Sequence, residues 1–249
     1  MKIVEKNDDL KSQQIPDGFH LIEGLPSGGK FYDEGTKIYS RPLKVLELKK
    51  LAAMTEDNFN QVIHDILQGS VWGIDVDDLV LIDKIFIILW QRANTFEDEK
   101  FDVSFICPDC KKESNYHFDL TCVSVDDVPE GAGKNAEYAI GDDKIVLDML
   151  RVKDEAVLLE RTADKNLDSD VVMMAMRIKK VNGKTLNFEQ AYKFISEMNP
   201  ANFMKLVKVM NETDVEVKPN ISVVCKECGG RVEIPMSFRG NFFLPTYSG

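Results

Sequence analysis

Four of the five cysteines fall in two C-x-x-C pairs, Cys107-Pro108-Asp109-Cys110 and Cys225-Lys226-Glu227-Cys228. At this spacing two thiolates reach one ion at about 2.3 Å, and two such knuckles facing each other complete a tetrahedral Cys₄ site. Each pair is read at the tip of a hairpin, after an alternating apolar strand. Gly229-Gly230, directly after Cys228, allows the tight backbone that amide-to-sulfur contacts need. The expected chemistry is one structural Zn²⁺ held by Cys107, Cys110, Cys225 and Cys228. A thioredoxin-like redox pair would start a helix after a strand, and neither pair is read there. A catalytic zinc keeps an open position, and four cysteines leave none. Iron in the same cage would be a preparation artefact. Cys122, alternating with Leu120, reads as a buried core cysteine.

The pairs are far apart. Residues 111–224 separate them, where a compact zinc ribbon has about 15–20. The ribbon is therefore predicted to be split, assembled from two distant hairpins around an insertion. Closing so long a loop costs on the order of several kcal/mol of chain entropy, which metal binding offsets.

Other candidate chemistry is weaker. In "GLPSGGKFY" at 24–32, Gly24, Gly29 and Lys30 fit G-x-x-x-x-G-K. A phosphate loop also needs Ser or Thr after the Lys and a helix starting there. Phe31 follows instead, and the context reads as strand, Gly-rich hairpin turn, strand, with Ser27-Gly28-Gly29 supplying positive φ. "GAGKN" at 131–135 is a second false echo. No nucleotide binding is expected. His20, His64 and His117 lie apart, and Asp126-Asp127 and Asp142-Asp143 read as solvated loop acids. No enzyme motif occurs, so no catalytic residue is expected.

The elements that must position the cysteines follow from periodicity. The 249 residues are 44% hydrophobic and carry a formal net charge of −11. That charge disfavours nucleic acid, whose binding rests on cations, and anionic membrane. Lys111-Lys112 and Lys179-Lys180 are only local basic pairs. The N-terminus lacks the apolar run of a leader, and "IFIILW" at 85–90 is far short of the ~20 residues of a membrane span. A soluble protein of a reducing cytoplasm is expected.

Residues 1–16 read as a flexible N-terminus and 17–42 as a small β unit. Residues 43–100 read as a helical core. In it Pro42 starts one helix, Thr55 caps a second that Gly69 ends, and a third, apolar all round, runs from about 76 to 94. Residues 101–125 form the first knuckle hairpin, 126–219 a loop and helical insertion, and 220–249 the second knuckle hairpin with an aromatic tail. Within the insertion, 144–214 reads as a return to helix, with 169–181 as helix or strand. Asn182-Gly183 marks a turn, Asn187 with Gln190 a capping box, and Asn199-Pro200 the last helix start. Methionines 173, 174, 176, 198, 204 and 210 read as core filler, with a methionine-lined partner groove as the alternative. The fold class is α+β: a mostly helical body, a small N-terminal β unit, and a split Cys₄ zinc ribbon made of two hairpins flanking a helical insertion.

The order of these features resembles the T-even phage baseplate protein family. The shared run is the Pro26-Ser27-x-Gly29-x-x-Tyr32 turn, Arg41-Pro42-Leu43 entering a helix, "DVDDL" before an apolar helix, the two C-x-x-C hairpins, and a terminal Phe242-Phe243-Leu244-Pro245. It covers about residues 17–245. The resemblance is greatest to the family's hub assembly members. It implies a non-enzymatic assembly factor, or chaperone, for the central hub of a contractile tail, with baseplate hub proteins as partners, acting in the cytoplasm of the infected bacterium. A structural subunit retained in the baseplate is the alternative. A cysteine-based redox factor and a nucleic-acid-binding ribbon are weaker ones. The resemblance carries the four cysteines over as metal ligands and gives no role to the turn or the tail.

Overall fold

The structure, a computed structural model, describes residues 14–55, 57–96, 100–119, 128–214 and 220–235. Cys122, Asp126-Asp127 and the tail at 242–245 lie outside them.

Three short strands, β1 (His20–Leu21), β2 (Tyr39–Ser40) and β3 (Val71–Trp72), make an antiparallel sheet in that order. No tight hairpin joins β1 to β2. The chain runs instead through successive turns, with Gly28 N–H donating to Leu25 O, Lys30 N–H to Ser27 O and Tyr32 N–H to Gly29 O. The reason is that Ser27, Phe31 and Tyr32 turn inward and are buried.

Helix α1 (Val45–Ala52) forms after Pro42 but does not include it, because Lys44 holds the N-cap position and Pro42 stands in the approach to the helix. Its Glu47 carboxylate accepts the Lys44 N–H and pairs with Arg41 at 2.6 Å. Helix α2 (Phe59–Ser70) departs from expectation at both ends. Asn58 occupies the N-cap position, and Thr55 stands before it, donating its N–H to Asn58 Oδ1. Gly69 remains helical, its carbonyl bonded to the buried Arg41.

The expected helix at 76–94 is broken near its start. A 3₁₀ turn at Val76–Asp78 precedes α3 (Leu81–Thr95). The Val80 N–H is donated to the Tyr32 hydroxyl and the Leu81 N–H to Leu150 O. Helix α3 is central, but its sides are not alike. Asp83, Lys84, Gln91 and Arg92 are buried with Ile87, Ile88 and Leu89, while Leu81, Ile82 and Ile85 are only half-buried. Buried polar groups require partners. Lys84 pairs with Glu155 at 2.6 Å, and Gln91 donates to Ser40 and Ser70.

Two antiparallel hairpins follow expectation. Strands β4 (Lys100–Ile106) and β5 (Glu113–Asp119) pair from Lys100↔Asp119 to Ile106↔Glu113. Near the chain's other end, β10 (Asn220–Val224) and β11 (Arg231–Pro235) pair from Asn220↔Pro235 to Val224↔Arg231.

Between the hairpins the insertion combines helices with an antiparallel sheet, and the reading of 144–214 as a return to helix is corrected where that sheet forms. Strands β6 (Ala136–Ile140), β7 (Asp143–Leu147), β8 (Ile178–Val181) and β9 (Lys184–Thr185) form a four-stranded antiparallel sheet in sequence order. Ile145-Val146 and Ile178 with Val181 are β-branched positions that fit a pleated, half-covered surface, and the runs are too short to show a period. Helices α4 (Glu155–Ala163), α5 (Ser169–Arg177), α6 (Phe188–Ser196) and α7 (Pro200–Thr213) complete it. The 169–181 stretch is both things in turn, helix α5 and then strand β8. The predicted turn at Asn182-Gly183 joins β8 to β9. The predicted caps Asn187 and Asn199 each accept a backbone N–H, from Gln190 and Asn202.

There are two cores. One combines residues 31–89 with both hairpins, so that Leu67, Leu79 and Ile87 share a cluster with Cys107, Val223, Cys225 and Val232. The other belongs to the insertion and includes Ile140, Ile145, Ala191 and Leu206. A seam at 148–155 fastens the insertion to α3. Val152 N–H donates to Leu79 O, and Arg151 donates to Asp78 O and Phe31 O. Among the described residues, no helix is long and apolar enough to cross a membrane.

Candidate metal centre

The two hairpin tips use one local device. Cys107 N–H donates to Lys112 O and Lys111 N–H to Cys107 O, and at the other tip Cys225 N–H donates to Gly230 O and Gly229 N–H to Cys225 O. Each turn places its fifth residue at positive φ, Lys111 at 60° and Gly229 at 74°. The tips meet face to face. A Cβ on Gly230 would meet Asp109 Oδ2 and displace that exposed side chain, so Gly230 eases the close approach while Gly229 supplies the positive φ. Lys112 bridges to Glu227 at 2.6 Å on the exposed rim.

This contact brings together all four predicted ligands. Cys107 Sγ lies 3.7 Å from Cys228 Sγ, Cys110 Sγ lies 3.8 Å from Cys225 Sγ, and all four sulfurs fall within 4.8 Å of one another. A tetrahedron with metal–sulfur bonds of about 2.3 Å has edges of about 3.8 Å. The cage therefore has the dimensions to hold one metal ion. Cys107 and Cys225 are buried, and Cys228 is the exposed corner.

The sulfurs differ in acidity. The Cys228 and Glu227 amides point at Cys225 and lower its pKa to about 6. At Cys228 the Gly230 amide pulls the same way, but desolvation and the neighbouring thiols outweigh it and push the pKa up to about 12. Negative charge thus collects first at Cys225, and a cation is what allows the other sulfurs to follow. Sequence reasoning missed Ser114, whose hydroxyl lies 4.0 Å from Cys225 Sγ. It also missed the Asp109–Gly230 contact. Neither has a signature within its own strand.

The family model described as T4 bacteriophage base plate protein matches residues 19–243. The chain belongs to that family. No curated protein and no solved structure matches it. Membership gives this baseplate protein a role among other baseplate proteins.

In the baseplate protein, the Gly-rich turn is tied to α3. Ser27 N–H donates to Asp83 Oδ1 and the Tyr32 hydroxyl to Asp83 Oδ2, at 2.9 and 2.6 Å. Gly29 N–H is donated to Ser27 Oγ. These amides, which a phosphate would require, are spent inside the turn, and a carboxylate lies beneath them. Burial raises the pKa of Asp83 despite the bonds from Ser27 and Tyr32, and burial beside that carboxylate pushes the Tyr32 phenol up as well. The two phosphate-loop echoes touch each other, Lys134 N–H donating to Lys30 O. His64 pairs with Asp77 at 2.9 Å, and the His20 ring stands 6.1 Å from Trp90. The methionines divide. Met174 and Met210 are buried in the insertion core, while Met173 and Met204 are exposed.

Proposed function

We propose that this baseplate protein is a non-enzymatic assembly factor for the central hub, holding hub subunits in an assembly-competent state in the cytoplasm of the infected bacterium. One Zn²⁺ sits in the cage of Cys107, Cys110, Cys225 and Cys228. The observation that supports this reading is the closed cage. Four thiolates complete a tetrahedral zinc and leave no position for water or substrate, so the ion's work is to join two distant chain segments. Adaptable methionine surface such as Met173 and a net charge of −11 suit a soluble binding protein that takes neither nucleic acid nor membrane. The hub is favoured by the order of motifs from the 26–32 turn to the second knuckle.

Quantitative mass spectrometry of finished baseplates and of hub precursors from infected cells tests the reading. An assembly factor is found on precursors and is absent from finished baseplates. A fixed copy number in finished baseplates overturns it in favour of a structural subunit. Thiol titration separates a redox role: four protected thiols that become reactive as zinc is released support the structural cage.

A further inference from the structure

We propose that the groove between α3 and α5 docks a polypeptide segment of a baseplate partner that presents an apolar side chain beside a carboxylate. This deepens the assembly reading above and rests on it. The groove exists because α3 turns its charged residues inward. Leu81, Ile82 and Ile85 are left half-buried, and with Met149 and Met173 they line a cavity of about 180 Å³. A dry cavity of ~150 Å³ takes a benzene-sized group, so this one accepts a single leucine- or phenylalanine-sized side chain. Two of its walls are methionines, which repack around different shapes.

The carboxylate is specified by Arg177, which lines the same groove. Its guanidinium is mostly buried and only partly supplied, by Asp214, which lines the same groove from its more exposed side. Nη1 lies 3.4 Å from Asp214 Oδ2, Nη2 faces the weak acceptor Met149 Sδ at 3.6 Å, and the buried Nε has no acceptor among the described residues. Arginine offers five donors in a fork that matches a carboxylate. A desolvated cation with so little around it gains most from an acidic group arriving with the apolar anchor.

The test measures the affinity of the full chain for purified baseplate subunits of the same phage, hub subunits included. Met173→Glu sets a carboxylate beside Arg177, and Arg177→Gln removes the cation. Each is expected to weaken binding about tenfold or more. Val45→Glu, at a solvent-facing position on α1, should leave it within about twofold, and zinc content and melting report that the variants fold. Hydrogen exchange on the partner should protect a segment with Asp or Glu beside an apolar residue. If groove variants bind as the wild type does, or the protected segment lacks a carboxylate, the groove proposal is wrong and the assembly reading stands. If the variants lose only self-association, the occupant is a second copy and the proposal is again wrong. If the wild type binds no baseplate subunit, both readings fail.

Discussion

The body and the insertion are two cores built by different means. The insertion cluster, from Ile140 to Met210, draws on one continuous stretch of chain, and among the described residues none of the buried charged side chains belongs to that stretch. The body cluster draws on residues from Phe31 to Val232, across the whole insertion, and is threaded by Asp83, Lys84, Gln91 and Arg92. Local contacts need little loop closure, whereas remote ones must offset the entropy of the chain between them. The body therefore carries the cysteine cage and nearly all of the buried polar side chains, while among the described residues of the insertion Thr213 is buried and Arg177 mostly so.

The largest expected break in this comparison comes from the cage. Cys107→Ser or Cys228→Ser should abolish zinc binding and cost on the order of 5 kcal/mol, seen as an early melting step in the body. Hydrogen exchange should find β6–β8 still protected. Loss of protection everywhere at once would show that the two cores are a single cooperative unit. Leu206→Ala reverses the experiment. Leu206 is fully buried, so the cavity should cost about 2–5 kcal/mol, while metal content stays that of the wild type.

Smaller effects probe the polar bonds of the body. Tyr32→Phe leaves Asp83 and the Val80 N–H each short of a partner, an expected loss of about 2–3 kcal/mol by urea melting. Asp83 also gives a pH signature. Its folded pKa lies above the usual 3.8, so the native state keeps its proton where the unfolded chain has released it. Through this group folding is favoured as the pH falls, and that contribution is lost as the pH rises through the folded pKa. In Asp83→Asn stability should fall more steeply than in the wild type on acidification from neutral pH towards about 4. The smallest change is Gly229→Ala, about 1 kcal/mol from a side chain held at positive φ, with zinc affinity reduced only slightly.

The cage was legible because its chemistry is written in short range: C-x-x-C and glycines after it suffice. The helix caps at Asn187 and Asn199 were legible for the same reason. What escaped depends on remote partners. Helix α3 looks uniformly apolar at its aliphatic positions, yet its orientation is set by Ser27 and Tyr32 binding Asp83 and by Glu155 binding Lys84. The insertion sheet escaped because β8 and β9 are brief and adjoin the strongly helical Met-rich stretch of α5. Thr55 imitated an N-cap that Asn58 holds. The phosphate-loop echo at 24–32 is the reverse case, a loud local pattern whose amides serve Asp83 and the turn itself.

The placement of Val223, Cys225 and Val232 in the first core bears on protein synthesis. A ribosome delivers the chain from its N-terminus, and domains generally fold as they emerge. Here residues 31–89 must wait for residues 223–232, because β10 and β11 supply half the knuckles and part of the apolar filling. The insertion, born in the middle, has all its own partners once α7 has emerged. The expected sequence of events is insertion first and body second, with residues 31–89 exposed while the insertion is made and sealed only when the second pair of cysteines arrives.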